Sequence, residues 1–418
     1  MNNDLLFTPL TLPNGAVLPN RLCKAAMEEN LSIEGQLPGE QLNTLYSRWA
    51  EGGVGLQLTG NVMVAPDALT GPGGVVLQDD RHLDHFKTWA EAGKAGGAHF
   101  WMQINHPGRQ VYAAMGEQAV GPSNIPVNLP GFEKLLAKPR ALSGNEVKSL
   151  VGRFATTAAL AEKAGFTGVQ IHAAHGYLIS QFLSPLVNNR EDEWGGSLEN
   201  RARFLLEVLK AIKAVVSPSF CISVKLNSAD FQKGGFELND AKWVALELEK
   251  IGLDLLEMSG GSYESPVMTG TTDHTSTSKR EAYFVGFARE IAAVVSVPIM
   301  VTGGIFSPET ALHALTEDKA GFGVKVLGLG RGLAFDPDLP NLWKAQQSTS
   351  VQLPKINWSS KTLASLGLMS VSKAQLKRLA AGKPPKPNLS PAFATLSDQL
   401  KTRIQTRRYR RWRDGTTS

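Results

Sequence analysis

Short apolar runs recur eight times along the chain, and each run is continuous rather than alternating with polar residues. Continuous runs rich in Val, Ile and Leu are typical of parallel strands that are covered on both faces. The eight predicted strands are Arg21–Ala25, Val54–Thr59, Phe100–Ile104, Thr167–Ile171, Cys221–Leu226, Leu253–Met258, Pro298–Thr302 and Val324–Leu329.

Segments with helical periodicity separate these runs. Two of them begin with recognisable caps: Ser143 and Glu146 form a capping-box pattern, and Ser307 precedes Pro308 at a first helical position. The predicted helices are Gln41–Glu51, Leu83–Gly96, Ser143–Ala164, Ser197–Val216, Asp240–Ile251, Ala282–Val295 and Pro308–Leu315. The repeated alternation of strand and helix predicts an α/β fold of the (β/α)8 TIM barrel type rather than a doubly wound sheet.

The alternation ends after Pro340, so we expect a barrel over residues 1–340 and a C-terminal extension over 341–418. The extension is predicted to hold short helices, of which Ser372–Ala381 is the clearest, then the Pro-rich stretch Lys383–Pro391 and a basic tail. Seven basic residues against Asp414 give residues 401–418 a net charge of +6. Because the whole chain carries +5, residues 1–400 carry −1 and are nearly neutral.

Two connections are too long to be simple turns. Asn105–Leu142 follows the third predicted strand, and Gly260–Arg280 follows the sixth. Long loops in compact domains are usually lids or binding loops. Both leave the carboxyl ends of strands, where barrel active sites lie.

Composition favours a large enzyme without a membrane partner. Hydrophobic residues make up 42% of the chain, and no apolar stretch approaches the ~20 residues of a spanning helix. The N-terminus lacks a signal pattern, so we expect a cytoplasmic protein. Cys23 and Cys221 both fall in predicted strands, where buried thiols are common. Their spacing suggests no zinc, iron–sulfur or disulfide site, and we expect no metal.

Three polar rings crowd the end of the fourth predicted strand: His172, His175 and Tyr177. A single His on an apolar face is more often a satisfied core residue than a catalytic one. Burying three such groups together without a ligand would cost roughly 1–3 kcal/mol for each group left unpaired. The clustering therefore favours an active site.

Glycines mark the ends of the seventh and eighth predicted strands. Gly303 and Gly304 follow the seventh, and Gly330 precedes Arg331 after the eighth. Loops after these two strands are the usual phosphate site of β/α barrels, and glycines let backbone N–H groups approach a phosphate. A Gly-Gly pair alone is usually only a turn, but the two ends together with an Arg predict a phosphate site.

Two further polar residues face the expected barrel mouth. Gln103 ends the third strand, and Lys225 lies on the fifth. An amide and an ammonium there suit a polar heterocycle that develops negative charge. The alternative for Lys225 is a structural ion pair with Glu257 or Asp230.

Several stretches together resemble the signature of the old yellow enzyme family, the FMN-dependent NAD(P)H oxidoreductases. The most specific are His172–Tyr177, Phe182–Pro185, Asn189–Arg190 and Trp194–Arg201. Further matches are Asn20–Arg21 with Met27, Gln103 with Gly108–Arg109, Gly303–Gly304 and Gly330–Arg331. The resemblance covers roughly Leu5 to Pro340. Because the Cys cluster of the larger iron–sulfur members is missing, the chain resembles a single-barrel member.

The resemblance implies a role for each matching position. His172 and His175 would bind the carbonyl or nitro oxygen of an activated alkene, and Tyr177 would donate a proton to the alkene carbon. NADH or NADPH would supply the electrons. The residues implied to bind FMN are Ala25, Ala26, Met27, Gly60, Asn61, Gln103, Lys225, Gly303, Gly304, Gly330 and Arg331.

Three positions depart from the family pattern. Lys225 stands where Arg is usual, so a point charge replaces a planar fork. Ala26 stands where Pro is common. Glu28 stands where relatives have Cys, Thr or another small residue, and its charge bears on the choice of substrate.

The sequence thus predicts an FMN enzyme that reduces electron-poor alkenes. One alternative is another FMN-barrel activity, such as an amine dehydrogenase or demethylase. A second, from a different class, is binding of nucleic acid or an acidic surface through the basic tail. We instead expect Tyr409 and Trp412 of the tail to dock on the barrel or on a neighbouring subunit. This expectation disfavours nucleic acid as a partner, and docking on a neighbouring subunit would make the protein a homo-oligomer.

Overall fold

Eight parallel strands close into a barrel in the computed structural model, which describes residues 3–265, 283–317 and 321–416. The barrel strands β1 to β8 are Leu22–Lys24, Leu56–Leu58, His99–Asn105, Gly168–Ala173, Cys221–Asn227, Leu255–Ser259, Ile299–Thr302 and Val326–Leu329. Each strand pairs with the next in the chain, and β8 pairs with β1. The predicted (β/α)8 barrel is therefore confirmed.

Helices cover the outside of the barrel and continue into the C-terminal extension. The described helices α1 to α12 are Glu40–Glu51, Leu83–Gly93, Gly144–Lys163, Leu178–Leu183, Leu198–Lys213, Leu238–Ile251, Tyr283–Ala292, Pro308–Leu315, Arg331–Phe335, Leu339–Lys344, Lys361–Leu379 and Pro391–Thr416. Both predicted caps are present. Ser143 and Glu146 form a reciprocal capping box, and the Ser307 side chain accepts from the Thr310 N–H at 3.2 Å.

The apolar core lies in two layers, one inside the barrel and one between strands and helices. A hairpin of Leu10–Thr11 and Val17–Leu18 precedes β1. Its Asn14 donates to the Ser219 carbonyl just before β5. The hairpin thus lies at the amino ends of the strands, and this leaves the carboxyl ends as the mouth.

One addition to the sheet was not predicted. Val62–Met63 and Val75–Val76 are two-residue strands in the connection between β2 and α2, and the first pairs in parallel with the end of β3. Such short apolar segments carry no periodicity that a sequence reading could detect.

The expectation of only short helices in the extension was wrong. α11 spans 19 residues rather than Ser372–Ala381, and the basic tail forms the end of the 26-residue α12. Arg, Lys and Gln are good helix formers, so a tail rich in these residues continues the helix that begins at Pro391. The Pro-rich stretch Lys383–Pro391 connects the two helices, as expected.

The tail docks on its own barrel. Tyr409 is fully buried; its hydroxyl donates to the Glu117 carboxylate and lies 2.9 Å from the Pro66 carbonyl oxygen. Gln405 donates to the Asn30 carbonyl at 2.9 Å, and Arg413 Nη1 donates to the Met115 carbonyl at 3.0 Å. These contacts reach loops that follow β1, β2 and β3. The predicted docking of Tyr409 is therefore confirmed.

The burial of Glu117 beside the tail should make stability depend on pH. Burial raises the pKa of Glu117 from 4.5 to about 7 in the folded protein. Between these values the unfolded chain releases a proton that the folded chain keeps, so stability should fall as pH rises. The loss should reach at most about 3 kcal/mol above pH 7.

The measurement is urea unfolding of the protein and of Glu117→Gln across pH 4.5 to 8. The Gln variant keeps an oxygen acceptor but does not titrate, so the difference between the two proteins should shrink as pH falls. Parallel pH profiles would contradict the assignment.

Candidate active site

The three rings predicted from sequence do come together at the carboxyl end of β4. His172 is on the strand itself, because β4 continues to Ala173 rather than ending at Ile171. His175 has a φ of +60°, a left-handed conformation that turns the chain sharply. The His172 ring centroid consequently lies 5.2 Å from that of His175 and 4.8 Å from that of Tyr177.

Backbone and side-chain partners determine where the imidazole protons lie. The Ala174 N–H donates to His172 Nδ1 at 3.2 Å, so the His172 proton is on Nε2. His175 Nε2 lies 2.7 Å from Ser259 Oγ, and if that hydroxyl donates, the His175 proton is on Nδ1. Burial, reinforced by the positive charge of Lys225, holds the pKa of both rings well below 6.5. Both rings are therefore neutral at pH 7, and each offers one N–H donor.

Tyr177 is buried beside a second phenol that sequence reasoning missed. The Tyr177 and Tyr263 hydroxyl oxygens are 3.3 Å apart. Burial, and then the charge of Glu28, raise the pKa of Tyr177 above 10. Glu28 accepts from Thr70 Oγ1 at 2.5 Å. Tyr177 thus keeps its proton at neutral pH, and the hydroxyl of Tyr263 lies where it can accept or donate a hydrogen bond.

A polar chain crosses the barrel interior below these rings. Gln103 Nε2 donates to Gln170 Oε1 at 2.7 Å, and Gln170 Nε2 donates to Glu257 Oε2 at 2.8 Å. Lys225 Nζ lies 2.8 Å from Glu257 Oε1, and Thr302 Oγ1 donates to the same oxygen at 2.6 Å. Gln103 and Lys225 are therefore joined through one buried carboxylate. The ion pair with Glu257, which was the alternative for Lys225, is therefore present.

The glycine-rich ends of β7 and β8 lie side by side. Thr302 of β7 is in register with Gly328 of β8. Gly303 and Gly304 have φ angles of 131° and 71°, which side chains rarely adopt. A Cβ placed on Gly330 would meet no atom within 4 Å. The space there suits a group held by backbone N–H donors.

Arg331 follows this open space. Burial lowers the pKa of Arg331, although a guanidinium remains charged at any ordinary pH. The Ala25 N–H donates to the Leu329 carbonyl at 2.9 Å, so the end of β1 adjoins the end of β8. The sequence-predicted phosphate residues thus share one side of the mouth with Ala25.

The ends of β1 and β2 are held in contact. A Cβ on Gly60 would collide with the Met27 carbonyl and the Glu29 carboxylate, so only glycine permits this approach. Asn61 Oδ1 is buried and has no hydrogen-bond partner among the residues that the structure describes. An unpaired buried acceptor at this position suits a ligand that donates to it.

Behind this contact lies a buried ionic cluster that the sequence analysis missed. Lys24 Nζ contacts Tyr46 Oη at 2.8 Å, the Leu58 carbonyl at 2.7 Å and Glu29 at 3.4 Å. Tyr46 in turn donates to Glu29 and accepts from the Gly60 N–H at 2.9 Å. Burial lowers the pKa of Lys24 to about 8. The sequence feature that could have identified this cluster is a lysine inside an apolar run, with an acid five residues later.

One ion pair ties the two long loops together. Arg109 Nη2 lies 2.5 Å from Glu264 Oε2, and the Asn128 N–H donates to Glu264 Oε1 at 2.7 Å. Arg109 also donates to the Pro126 carbonyl at 2.8 Å. The predicted loop Gly260–Arg280 is described only as far as residue 265, and the remainder lies outside the described residues.

Comparison with known proteins identifies the family. Residues 5–350 match the model of the NADH:flavin oxidoreductase / NADH oxidase family. An NADH-dependent flavin oxidoreductase of Hypocrea jecorina is 36% identical over 354 residues, which cover 79% of this chain and 87% of the relative. The NADH oxidase of Thermoanaerobacter brockii is 35% identical over 340 residues, 80% of this chain and 50% of the relative.

Solved structures agree with this assignment. Morphinone reductase in complex with tetrahydroNAD has a TM-score of 0.68 and 26% identity, over 82% of this chain and 92% of that one. The old yellow enzyme homologue from Zymomonas mobilis has a TM-score of 0.68 and 25% identity, and the match covers 84% of this chain and 95% of that one. With the family model matched over the whole barrel, the chain belongs to the NADH:flavin oxidoreductase / NADH oxidase family and is a flavin-dependent oxidoreductase.

Proposed function

We propose that this chain uses electrons from NADH or NADPH, passed through FMN, to reduce the C=C bond of electron-poor alkenes. The observation that carries the proposal is the buried group of His172, His175 and Tyr177. The ring of His172 lies 5.2 Å from that of His175 and 4.8 Å from that of Tyr177, which brings two neutral donors and one protonated phenol together. An alkene conjugated to a carbonyl needs both kinds of group, since negative charge develops on its oxygen while its α-carbon takes a proton.

The residues at the mouth fit FMN. The open space at Gly330, with the positive-φ glycines and Arg331, would hold the phosphate. The buried acceptor of Asn61 and the ends of β1 and β2, including Ala25, Ala26, Met27 and Gly60, would line the ring system. Gln103 and Lys225 would contact its polar edge. Bound there, FMN would supply the hydride that the reduction needs.

Side chains of the protein would then bind the substrate oxygen and supply the proton for the α-carbon. His172 Nε2–H and the N–H of His175 would donate to the substrate oxygen and hold the alkene in one orientation. The Tyr177 hydroxyl would give its proton to the α-carbon. Tyr263 would stabilise the resulting phenolate through the hydroxyl contact at 3.3 Å.

The first prediction concerns the phosphate site. Arg331→Ala should weaken FMN binding roughly 10–100-fold, because a charge-assisted hydrogen bond contributes about 1.5–3 kcal/mol. Quenching of FMN fluorescence on titration measures the affinity. Arg81→Ala, at a largely exposed arginine, is the matched control. An affinity equal to that of the control would refute the phosphate role.

The second prediction concerns the oxygen-binding pair. The double variant His172→Ala, His175→Ala should keep FMN and its reduction by nicotinamide but lose phenol binding and enone turnover. One oxyanion donor is typically worth about 100–1000-fold in rate. Anaerobic stopped-flow measurement of both half-reactions provides the internal control. Enone turnover at the normal rate would exclude these residues.

The third prediction concerns the proton donor. Tyr177→Phe removes only the hydroxyl, so the packing against His172 should survive. Reduction of FMN by nicotinamide should be nearly unchanged, while its reoxidation by an enone should slow by about 100–10,000-fold. The same stopped-flow experiment tests this. An enone step as fast as that of the unmodified protein would rule out Tyr177 as the acid.

A further inference from the structure

One side of α12 points away from the barrel and has no partner among the described residues. Four large apolar side chains occupy it at helical spacing, and each is more than half exposed. They are Phe393 at 69%, Leu396 at 61%, Leu400 at 51% and Ile404 at 67%. Ala394 and Tyr409 are buried on the opposite side and attach the helix to the barrel. Exposed apolar rows of this kind mark interaction surfaces.

The same face becomes basic along its second half. Arg407 and Arg411 continue the apolar row at spacings of three and four residues, and Arg403 and Arg408 flank it. All four are exposed, and none makes a hydrogen bond or an ion pair within the described part of the chain. We call these four arginines with the apolar row the outer face of α12. It is apolar at one end and cationic at the other.

A second copy of this chain is a poor partner for the outer face. Between Lys383 and Arg413 the sequence holds one acid, Asp398, and that carboxylate is ion-paired with Lys377 at 2.8 Å. In a parallel pairing, arginines would meet arginines. In an antiparallel pairing, they would meet the segment that carries Lys383 and Lys386. Neither arrangement supplies the negative charge that four unpaired arginines require.

Nucleic acid also fits poorly. Single-stranded nucleic acid binds through aromatic rings that stack on bases. Tyr409 is fully buried against the barrel, and Trp412 packs beside it with ring centroids 5.9 Å apart. The tail aromatics thus face away from the arginines, and the apolar row would gain nothing from a phosphate backbone.

We propose that the outer face of α12 binds an anionic lipid surface, with the helix lying in the plane of the interface. The apolar row would enter the boundary between headgroups and acyl chains, and the arginines would bind lipid phosphates. A convex helix face needs no matching groove in order to enter a bilayer surface. This departs from the expectation of no membrane partner, which rested on the lack of a spanning segment. No described helix is long and apolar enough to cross a membrane.

Sedimentation of the full-length, FMN-loaded protein with vesicles tests the proposal. Phosphatidylcholine vesicles containing phosphatidylglycerol should bind it, and vesicles of phosphatidylcholine alone should not. Each basic residue near an anionic surface contributes about fivefold in affinity. Arg403→Gln, Arg407→Gln, Arg411→Gln should therefore bind about 100-fold more weakly. Lys87→Gln, Lys210→Gln, Lys250→Gln removes the same charge from exposed barrel positions and should bind normally.

Two double variants at apolar positions distinguish insertion of the helix into the lipid surface from charge attraction alone. Leu400→Gln, Ile404→Gln should lose most binding at physiological salt, whereas Val17→Gln, Val215→Gln, at other exposed positions, should not. Flavin absorbance and circular dichroism verify folding of every variant. The assay needs no turnover, so its result is independent of the proposed alkene reduction.

Four outcomes would overturn the proposal. The first is no binding to anionic vesicles at low salt. The second is equal binding by the arginine variant and its lysine control. The third is that the protein binds polyglutamate or RNA as tightly as anionic vesicles and that the apolar variant binds as tightly as the unmodified protein. This result would indicate a partner that is recognised by charge alone. The fourth is an oligomer that dissociates in the apolar variant and does not bind vesicles, which would assign the face to a second copy.

Discussion

The buried carboxylate of Glu257 holds the barrel mouth together. It receives hydrogen bonds or ionic contacts from Gln170 on β4, Lys225 on β5 and Thr302 on β7, and Gln170 extends the chain to Gln103 on β3. Five strands therefore meet through one acid. Removing a single partner of such a pair costs about 3–5 kcal/mol because the other charge stays buried. The network thus links the side chains of neighbouring strands directly below the rings of His172 and His175.

The barrel and the ring cluster at the end of β4 could be predicted from sequence because both are local patterns. Continuous apolar runs and capped helices repeat in order, and His172, His175 and Tyr177 lie within six residues. The ends of the strands were predicted less accurately. β4 continues through His172 because His172 pairs with Lys225 and Ala173 with Leu226 of β5. A ladder of backbone hydrogen bonds does not end where apolar residues end.

The features that sequence missed depend on distant residues. Lys24 and Tyr46 meet only after α1 packs on β1, and the loop after β6 brings Tyr263 to Tyr177. The position of the helical tail likewise depends on a distant contact, since the buried Tyr409 of α12 bonds to Glu117, which is 292 positions away. No spacing rule within a window of residues detects such contacts.

Lys225, at the position where the sequence resemblance implies an Arg, fits this electrostatic arrangement. Arg presents a planar fork, whereas an ammonium can satisfy Glu257 with one N–H and retain two others. Paired with Glu257 at 2.8 Å, Lys225 adds little net charge to the mouth but still helps to keep His172 and His175 neutral. Charge that develops on a substrate oxygen would thus be stabilised by fixed N–H dipoles. Such dipoles need not reorganise when the charge appears, and this is the condition under which electrostatic stabilisation is most effective.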